Sequence, residues 1–261
     1  MLHRMGQSLP KATAVLINSF RQIDPEISDM LGARLRNFLN IGPFTLTMQP
    51  PQPASSAAPA GDENGCLEWL SKHEAGSVVY LSFGSVVTLP PHEVAALAEA
   101  LEETGLPFLW SFRGPRPGRL LEGESGGRGR LVAWAPQVEV LEHPAVGAFV
   151  THCGWNSVLE SLAGGVPLVC RPFFGDHMLN MRTVEAVWRV GVAVVGEGGA
   201  VTKEGYVRAL SRVLLDEEGR GMRDRIGVLK RLAYEAVGGQ ASGVNNSTQD
   251  FKALVDLVMT I

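Results

Sequence analysis

Cysteine is scarce: the chain has three, Cys66, Cys153 and Cys170, and no C-x-x-C pair. That excludes a disulfide framework and fits a reducing compartment, with the cytosol expected. Long apolar runs are also missing. Stretches such as AVGAFV and GVPLVC fall far short of the length that crosses a bilayer. No charged-then-apolar leader is expected from MLHRMGQSLPKA, which is polar and short. Basic excess is absent too, since 23 Lys and Arg against 27 Asp and Glu leave a net charge of −4 and a pI near 5.9. Neither a nucleic acid nor an anionic membrane is therefore an expected partner. Two nucleotide-binding motifs do not occur. Without a G-x-G-x-x-G in a first strand-to-helix turn and an acid about 20 residues on, a dehydrogenase-type NAD site is disfavoured. The chain also lacks the G-x-x-x-x-G-K-[S/T] of a P-loop.

What is present suits a packed soluble protein. At 261 residues, 45% of them hydrophobic and 19% charged, the chain can bury one large domain or one and a half small ones. TAVLINSF (13–20) reads as a strand. GPFTLTMQPPQPASSAAPAGDENG (42–65) reads as a linker, rich in Pro, Ala and Ser. Beyond it, short apolar strands alternate with helices. The strands are SVVYLSFGSVV (77–87), FLWSF (108–112), RLVAW (130–134), AVGAFVTH (145–152), PLVCRPF (167–173) and GVAVVG (191–196). Helices are expected over 90–105, 137–142, 156–164, 177–190 and 202–217, with Thr202 as N-cap, and two amphipathic helices follow. Asn-x-Ser/Thr triplets at Asn245 and Asn246 read as chance, with Ser247 and Asp250 marking a helix start. Continuously apolar strands between helices mean a parallel sheet covered on both faces, a doubly wound α/β domain. Such sheets bind ligands beyond the carboxyl ends of their strands, which directs attention to the turns SFGS, AWAPQ, THCGWNS and FFGDH.

THCGWNSVLE (151–160) is the richest turn. Gly154 permits a tight bend, Ser157 and Glu160 have capping-box spacing, and His152 and Asn156 add side-chain donors. A helix start there aims backbone N–H groups at an anion, most plausibly a phosphate. An ordinary capped helix with a core histidine would use the same residues, but Trp155 is an odd choice for a plain turn. Gly84 and Ser85 form a second small-residue turn suited to phosphate, weak by itself. Trp134 and Gln137 could stack on a flat base and bond its edge, although taken alone a core tryptophan before a proline turn is the better reading. Asp176 and His177 lack further ligands at metal spacing, so contact with a polar ligand is favoured over a metal.

Taken together, WAPQVEVLEHPAVGAFVTHCGWNSVLESLAGGVPLVCRPFFGDH, Trp134 to His177, resembles the signature box of plant secondary-metabolite UDP-glycosyltransferases. The likeness is nearest to the branch acting on the 3-hydroxyl of anthocyanidins and flavonols, and it extends along the whole chain. It implies a two-domain GT-B fold whose carboxyl-terminal half holds the nucleotide sugar in a Rossmann-like domain. Residues 1–41 would then be the end of the acceptor domain, 42–65 the linker, 66–241 the UDP-sugar-binding domain and 242–261 a terminal helix. By resemblance, Trp134 stacks on uracil beside Ala135, Gln137 contacts the base and ribose region, and Glu160 accepts from ribose hydroxyls. Ser85, His152, Asn156 and Ser157 hold the diphosphate at the turn made by Gly154. Trp155, Asp176 and His177 address the sugar. The family is inverting and metal-independent, so no cofactor is expected beyond the UDP-glucose or UDP-galactose substrate. A flavonoid or anthocyanidin is the expected acceptor and a monomer the expected state.

Two departures matter. The family's general base, an amino-terminal histidine oriented by an aspartate, has no counterpart here, and His3 falls too late in the family's order to serve. The chain reads as the donor half of a longer enzyme, with little or no transfer expected from it alone; a non-catalytic UDP-sugar-binding module is the alternative. The box also ends in His177 where the family usually has Gln. An imidazole offers one donor and one acceptor in a geometry unlike an amide's. This shifts the expected donor toward UDP-galactose, with UDP-glucose the alternative.

Overall fold

The structure, a computed structural model, describes residues 6–47, 62–114, 128–194, 200–238 and 246–260. His3, most of the expected linker, most of the Gly- and Arg-rich loop before residue 130, and the end of the GVAVVG strand lie outside the described residues. In chain order the main elements are β1 Val15–Ile17, α1 Pro25–Gly32, β2 Phe38–Asn40, a single helical turn Phe44–Thr47 inside the stretch expected as linker, α2 Cys66–Leu70, β3 Val78–Ser82 and α3 Pro91–Thr104. Then follow β4 Phe108–Ser111, β5 Gly129–Val132, α4 Gln137–Glu142, β6 Val146–Thr151, α5 Trp155–Gly164, β7 Leu168–Cys170 and α6 His177–Arg182. The last are β8 Gly191–Ala193, α7 Lys203–Leu214, α8 Glu217–Ala236 and α9 Asn246–Met259. Contacts divide the chain into two units, Met1–Ala54 with Val228–Ile261, and Ser55–Gly227.

In the first unit β1 and β2 pair in parallel, Leu16 opposite Leu39. Asp24 starts α1 by accepting the Ile27 N–H at 3.0 Å, with Pro25 in the first turn where its missing N–H costs nothing. Helix α9 packs on β2. Its Asp250 accepts the Asn40 N–H at 2.7 Å, so the expected Ser247–Asp250 capping pair does not form; a strand N–H takes the carboxylate instead. Burial raises the Asp250 pKa, against the lowering effect of that bond.

The second unit is a six-stranded, wholly parallel sheet in the order β5-β4-β3-β6-β7-β8. The doubly wound sheet inferred from the alternation is thus present. The chain enters in the middle at β3, winds out to β5, then returns beside β3 as β6 and winds the other way. This reversal opens a crevice at the carboxyl ends of β3 and β6. Both strands are buried throughout, as the period of two demands when helices cover both faces. Val79, Leu81 and Val150 face a core with Leu97 of α3 and Leu210 of α7. Val78, Tyr80 and Phe149 face the other core, with Leu70 of α2 and Val140 of α4. Thr202 caps α7 as expected, accepting the Gly205 N–H at 3.2 Å.

One helix differs from expectation. The segment 177–190 is not a uniform α-helix: α6 ends at Arg182 and widens into a π turn, Thr183–Trp188. The wider turn accompanies a contact of the Trp188 ring with Trp155, 6.2 Å between centroids. Glu185 meanwhile accepts the Ala193 N–H at 2.9 Å.

Candidate functional site

The turn after β6 is built around His152. Its imidazole lies between two glycines: a Cβ at Gly84 would fall 2.9 Å from Cε1, and one at Gly154 2.4 Å from Nε2. Gly84 also has φ +72°, so both space and backbone require glycine there. Cys153, between His152 and Gly154, adopts φ +64°, a strained setting for a side-chain-bearing residue. It is held by the Thr151 hydroxyl, which accepts its N–H at 3.3 Å, and by Asn180 Nδ2, which donates to its carbonyl at 2.9 Å. Helix α5 then begins with Gly154 as N-cap and no side-chain cap. Ser157 and Glu160 therefore do not form the expected capping box; the helix starts two residues before Ser157, leaving both side chains for other partners.

A cleft of about 290 Å³ opens here, lined among others by Ser85, His152, Ser157, Phe174 and His177. The edge of one imidazole meets the face of the other, His152 to His177, 4.8 Å between centroids. Nδ1 of each is buried without a hydrogen-bond partner. Burial, reinforced by the neighbouring His177 and opposed by Asp176, lowers the His152 pKa to about 4. At neutral pH His152 is an uncharged donor and acceptor.

Asp176 and His177 point apart, as adjacency on a first helical turn implies. Asp176 is exposed and its carboxylate accepts Asn180 Nδ2 at 2.9 Å; His177 is buried among Phe174 and His152. Asn180 thus bonds both Asp176 and the Cys153 carbonyl, joining the FFGDH segment to the turn after β6. The FFGDH segment is anchored a second time at its root. Arg171 makes a two-pronged ion pair with Glu93 of α3, 2.9 and 2.5 Å, and its guanidinium lies 4.1 Å from the centre of the Phe173 ring.

Gln137, Ser157 and Glu160 meet in one cluster. Gln137 Nε2 donates to Ser157 Oγ at 3.0 Å and to Glu160 Oε2 at 2.6 Å. Its Oε1 accepts from the Tyr80 hydroxyl at 3.2 Å. Burial raises the Glu160 pKa; the Gln137 bond pulls the other way and Glu139 adds to the rise. Trp134 is 58% exposed, a broad free face at the end of β5, while its carbonyl accepts from Asn64 at 2.8 Å. Ala135 behind it is buried. Arg113 ties this corner to the crevice, its guanidinium 6.0 Å from the Trp134 ring centre and 2.8 Å from the Gly84 carbonyl. Trp155, half-buried, leans on Trp188, and Asn156 is exposed on the first turn of α5.

The structure therefore gathers Ser85, His152, Ser157 and His177 around one cleft, and joins Gln137 and Glu160 to it through Ser157. Trp134 after β5, Trp155 and Asn156 on the first turn of α5, and Asp176 before α6 stand at the carboxyl end of the sheet. Sequence reasoning missed Tyr80, Arg113, Asn180 and the Glu93–Arg171 pair; each lies in a segment that reads as plain strand, loop or helix. Among the described residues, no three His, Cys, Asp or Glu side chains are grouped to hold a metal ion, and no helix is long and apolar enough to cross a membrane.

Known proteins resemble this chain in sequence and fold. A family model described as UDP-glucoronosyl and UDP-glucosyl transferase matches residues 52–225. An anthocyanidin 3-O-galactosyltransferase of Actinidia chinensis var. chinensis is 50% identical over 261 residues, 99% of this chain and 55% of that protein. An anthocyanidin 3-O-glucosyltransferase of Vitis vinifera is 51% identical over 99% of this chain and 54% of its own length. The chain spans about half the length of these curated relatives. The crystal structure of a UDP-glucose: anthocyanidin 3-O-glucosyltransferase in complex with UDP superposes with a TM-score of 0.84 at 39% identity, covering all of this chain and 56% of that one. The likeness identifies the parallel-sheet unit as the Rossmann-like half of a GT-B fold. With the family model covering most of the sequence and the fold in agreement, this chain belongs to the UDP-glucoronosyl and UDP-glucosyl transferase family.

Proposed function

We propose that the crevice at β3 and β6 is the donor site of an inverting, metal-independent UDP-hexosyltransferase acting on the 3-hydroxyl of a flavonoid or anthocyanidin. The observation that carries the reading is the Gln137–Ser157–Glu160 cluster bonded beside the His152 cleft at the sheet's switch point. In this reading Trp134 and Ala135 receive uracil, and Gln137 and Glu160 receive the ribose. The amino-terminal end of α5, with Gly154, Ser85, His152, Asn156 and Ser157, takes the diphosphate. Those fixed donors meet the charge that grows on UDP as it leaves. The acceptor oxygen bonds to the anomeric carbon as the bond from that carbon to UDP breaks, and the acceptor's proton passes to a base. No residue of this sequence matches the family's base, so the chain supplies the donor half and the acceptor half lies in sequence outside it. Cytosolic, monomeric behaviour goes with this reading.

Trp155, Asp176 and His177 complete the site at the sugar. One of the two named relatives is a galactosyltransferase and the other a glucosyltransferase, and His177, set against His152, favours UDP-galactose. Glucose and galactose differ in the direction of one hydroxyl, so a changed partner is worth roughly tenfold. Calorimetry of the 261-residue chain with UDP, UDP-glucose and UDP-galactose tests this. Tighter binding of UDP-galactose, reversed by His177→Gln, is expected; an unchanged preference in the variant removes the sugar assignment. Detectable transfer to cyanidin or quercetin by this chain alone would contradict the donor-half reading.

A further inference from the structure

We infer that Tyr80 is a positioning residue that orients the Gln137 amide, and that through it the site selects a ribose over a deoxyribose nucleotide. The inference rests on reading Glu160 as the acceptor of ribose hydroxyls.

Tyr80 sits in the middle of β3, 1% exposed, its ring stacked on its cross-strand partner Phe149 at 5.1 Å. A phenylalanine would serve that stack, so the hydroxyl needs its own account, because an unpartnered one is costly in a core. It donates to Gln137 Oε1 at 3.2 Å. Burial pushes the phenol's pKa up, so it stays protonated and remains a donor.

An amide's two ends are alike in size and opposite in hydrogen-bonding sense. With Oε1 engaged by Tyr80, Nε2 faces α5 and meets Glu160 Oε2 and Ser157 Oγ. Turned over, the amide would set its oxygen against the carboxylate. The phenol and the carboxylate thus impose the same orientation from opposite ends. A carboxylate has about four acceptor positions; the amide occupies one and holds the group, leaving the others for two adjacent hydroxyls. Without the Tyr80 hydroxyl the amide keeps only its α5 end, and Glu160 loses a fixed neighbour.

Calorimetry of the 261-residue chain with UDP and 2′-deoxy-UDP provides the test. Wild type should prefer UDP by about tenfold, the worth of a hydrogen bond to a charged group. Tyr80→Phe should weaken UDP by about fivefold and 2′-deoxy-UDP by less than about twofold, shrinking the ratio. Equal weakening of both ligands, or no change, overturns the inference and leaves Tyr80 a packing residue. Wild-type binding of both nucleotides with equal affinity would instead refute the ribose role of Glu160, and binding of neither would refute the donor site itself. Should Tyr80→Phe not fold, wild type labelled at tyrosine Cζ decides. With only three tyrosines, the Tyr80 carbon signal is assignable; it should shift on saturation with UDP and much less with 2′-deoxy-UDP. Equal shifts, or none, overturn the inference.

Discussion

Gly84 and His152 share one space at the switch point of the sheet, where any Cβ on Gly84 would come within 2.9 Å of the imidazole. The turn after β3 therefore sets how far the His152 ring enters the cleft. Gly84→Ala must both accept a left-handed backbone, at about 1–2 kcal/mol, and displace the ring. We expect a matching loss in urea denaturation together with weaker UDP binding. A variant with wild-type stability and affinity would show that the close approach has no consequence.

The Glu93–Arg171 pair predicts a second outcome. Its carboxylate side chain is 7% and its guanidinium side chain 16% exposed, and removing one partner leaves a buried charge alone. Glu93→Leu is expected to destabilise by about 3–5 kcal/mol, with most of that recovered by adding Arg171→Met. Denaturation of the two single variants and the double variant closes the cycle. A loss under about 1 kcal/mol in Glu93→Leu, the range of exposed pairs, would contradict the placement.

His152 gives a pH dependence of definite sign. Its pKa falls from 6.5 to about 4 on folding, chiefly through burial. Between those values the unfolded chain takes a proton that the folded chain refuses. Its contribution is thus fully present above pH 6.5 and is lost as pH falls toward 4. His73 and His143 shift in the same direction, also through burial, so the test is the difference between wild type and His152→Gln. That difference should grow in the variant's favour as pH falls from 6.5 to 4; parallel curves would contradict it.

Asn180 ties the FFGDH segment to the turn after β6. It bonds Asp176 and the Cys153 carbonyl with one amide nitrogen. Asn180→Ala frees the FFGDH segment while leaving the Gln137 cluster intact. UDP affinity should fall with the loss of the Cys153 contact, and the preference between UDP-galactose and UDP-glucose should collapse toward unity. An unaltered preference, measured by calorimetry, would mean that the bond does not position Asp176.

Much of this architecture can be read along the chain, because parallel strands buried on both faces leave continuous apolar runs and the strand-to-helix turns between them are rich in Gly, Ser, His and Trp. What escapes is whatever depends on partners distant in sequence. Tyr80 lies in VVYLS, where an aromatic residue reads as packing, and only the fold brings Gln137 to its hydroxyl. Ser157 and Glu160 have the spacing of a capping box, yet the helix begins at Trp155 and Gln137 claims both side chains. Glu93 looks like the acidic first turn of α3, and only β7 brings Arg171 to it. Asp176 and His177 read as adjacent polar residues beyond a strand end, and nothing local signals the inward turn of His177 against His152.

The central claim is that the crevice at β3 and β6 binds UDP, with Glu160 as a principal contact. Titration of the 261-residue chain with UDP, beside Glu160→Ala and Glu139→Ala, tests it most directly. One-site binding is predicted, weakened at least about tenfold in Glu160→Ala and unchanged in Glu139→Ala, whose exposed carboxylate lies on the neighbouring helix. Absence of binding, or equal binding by Glu160→Ala, would contradict the account.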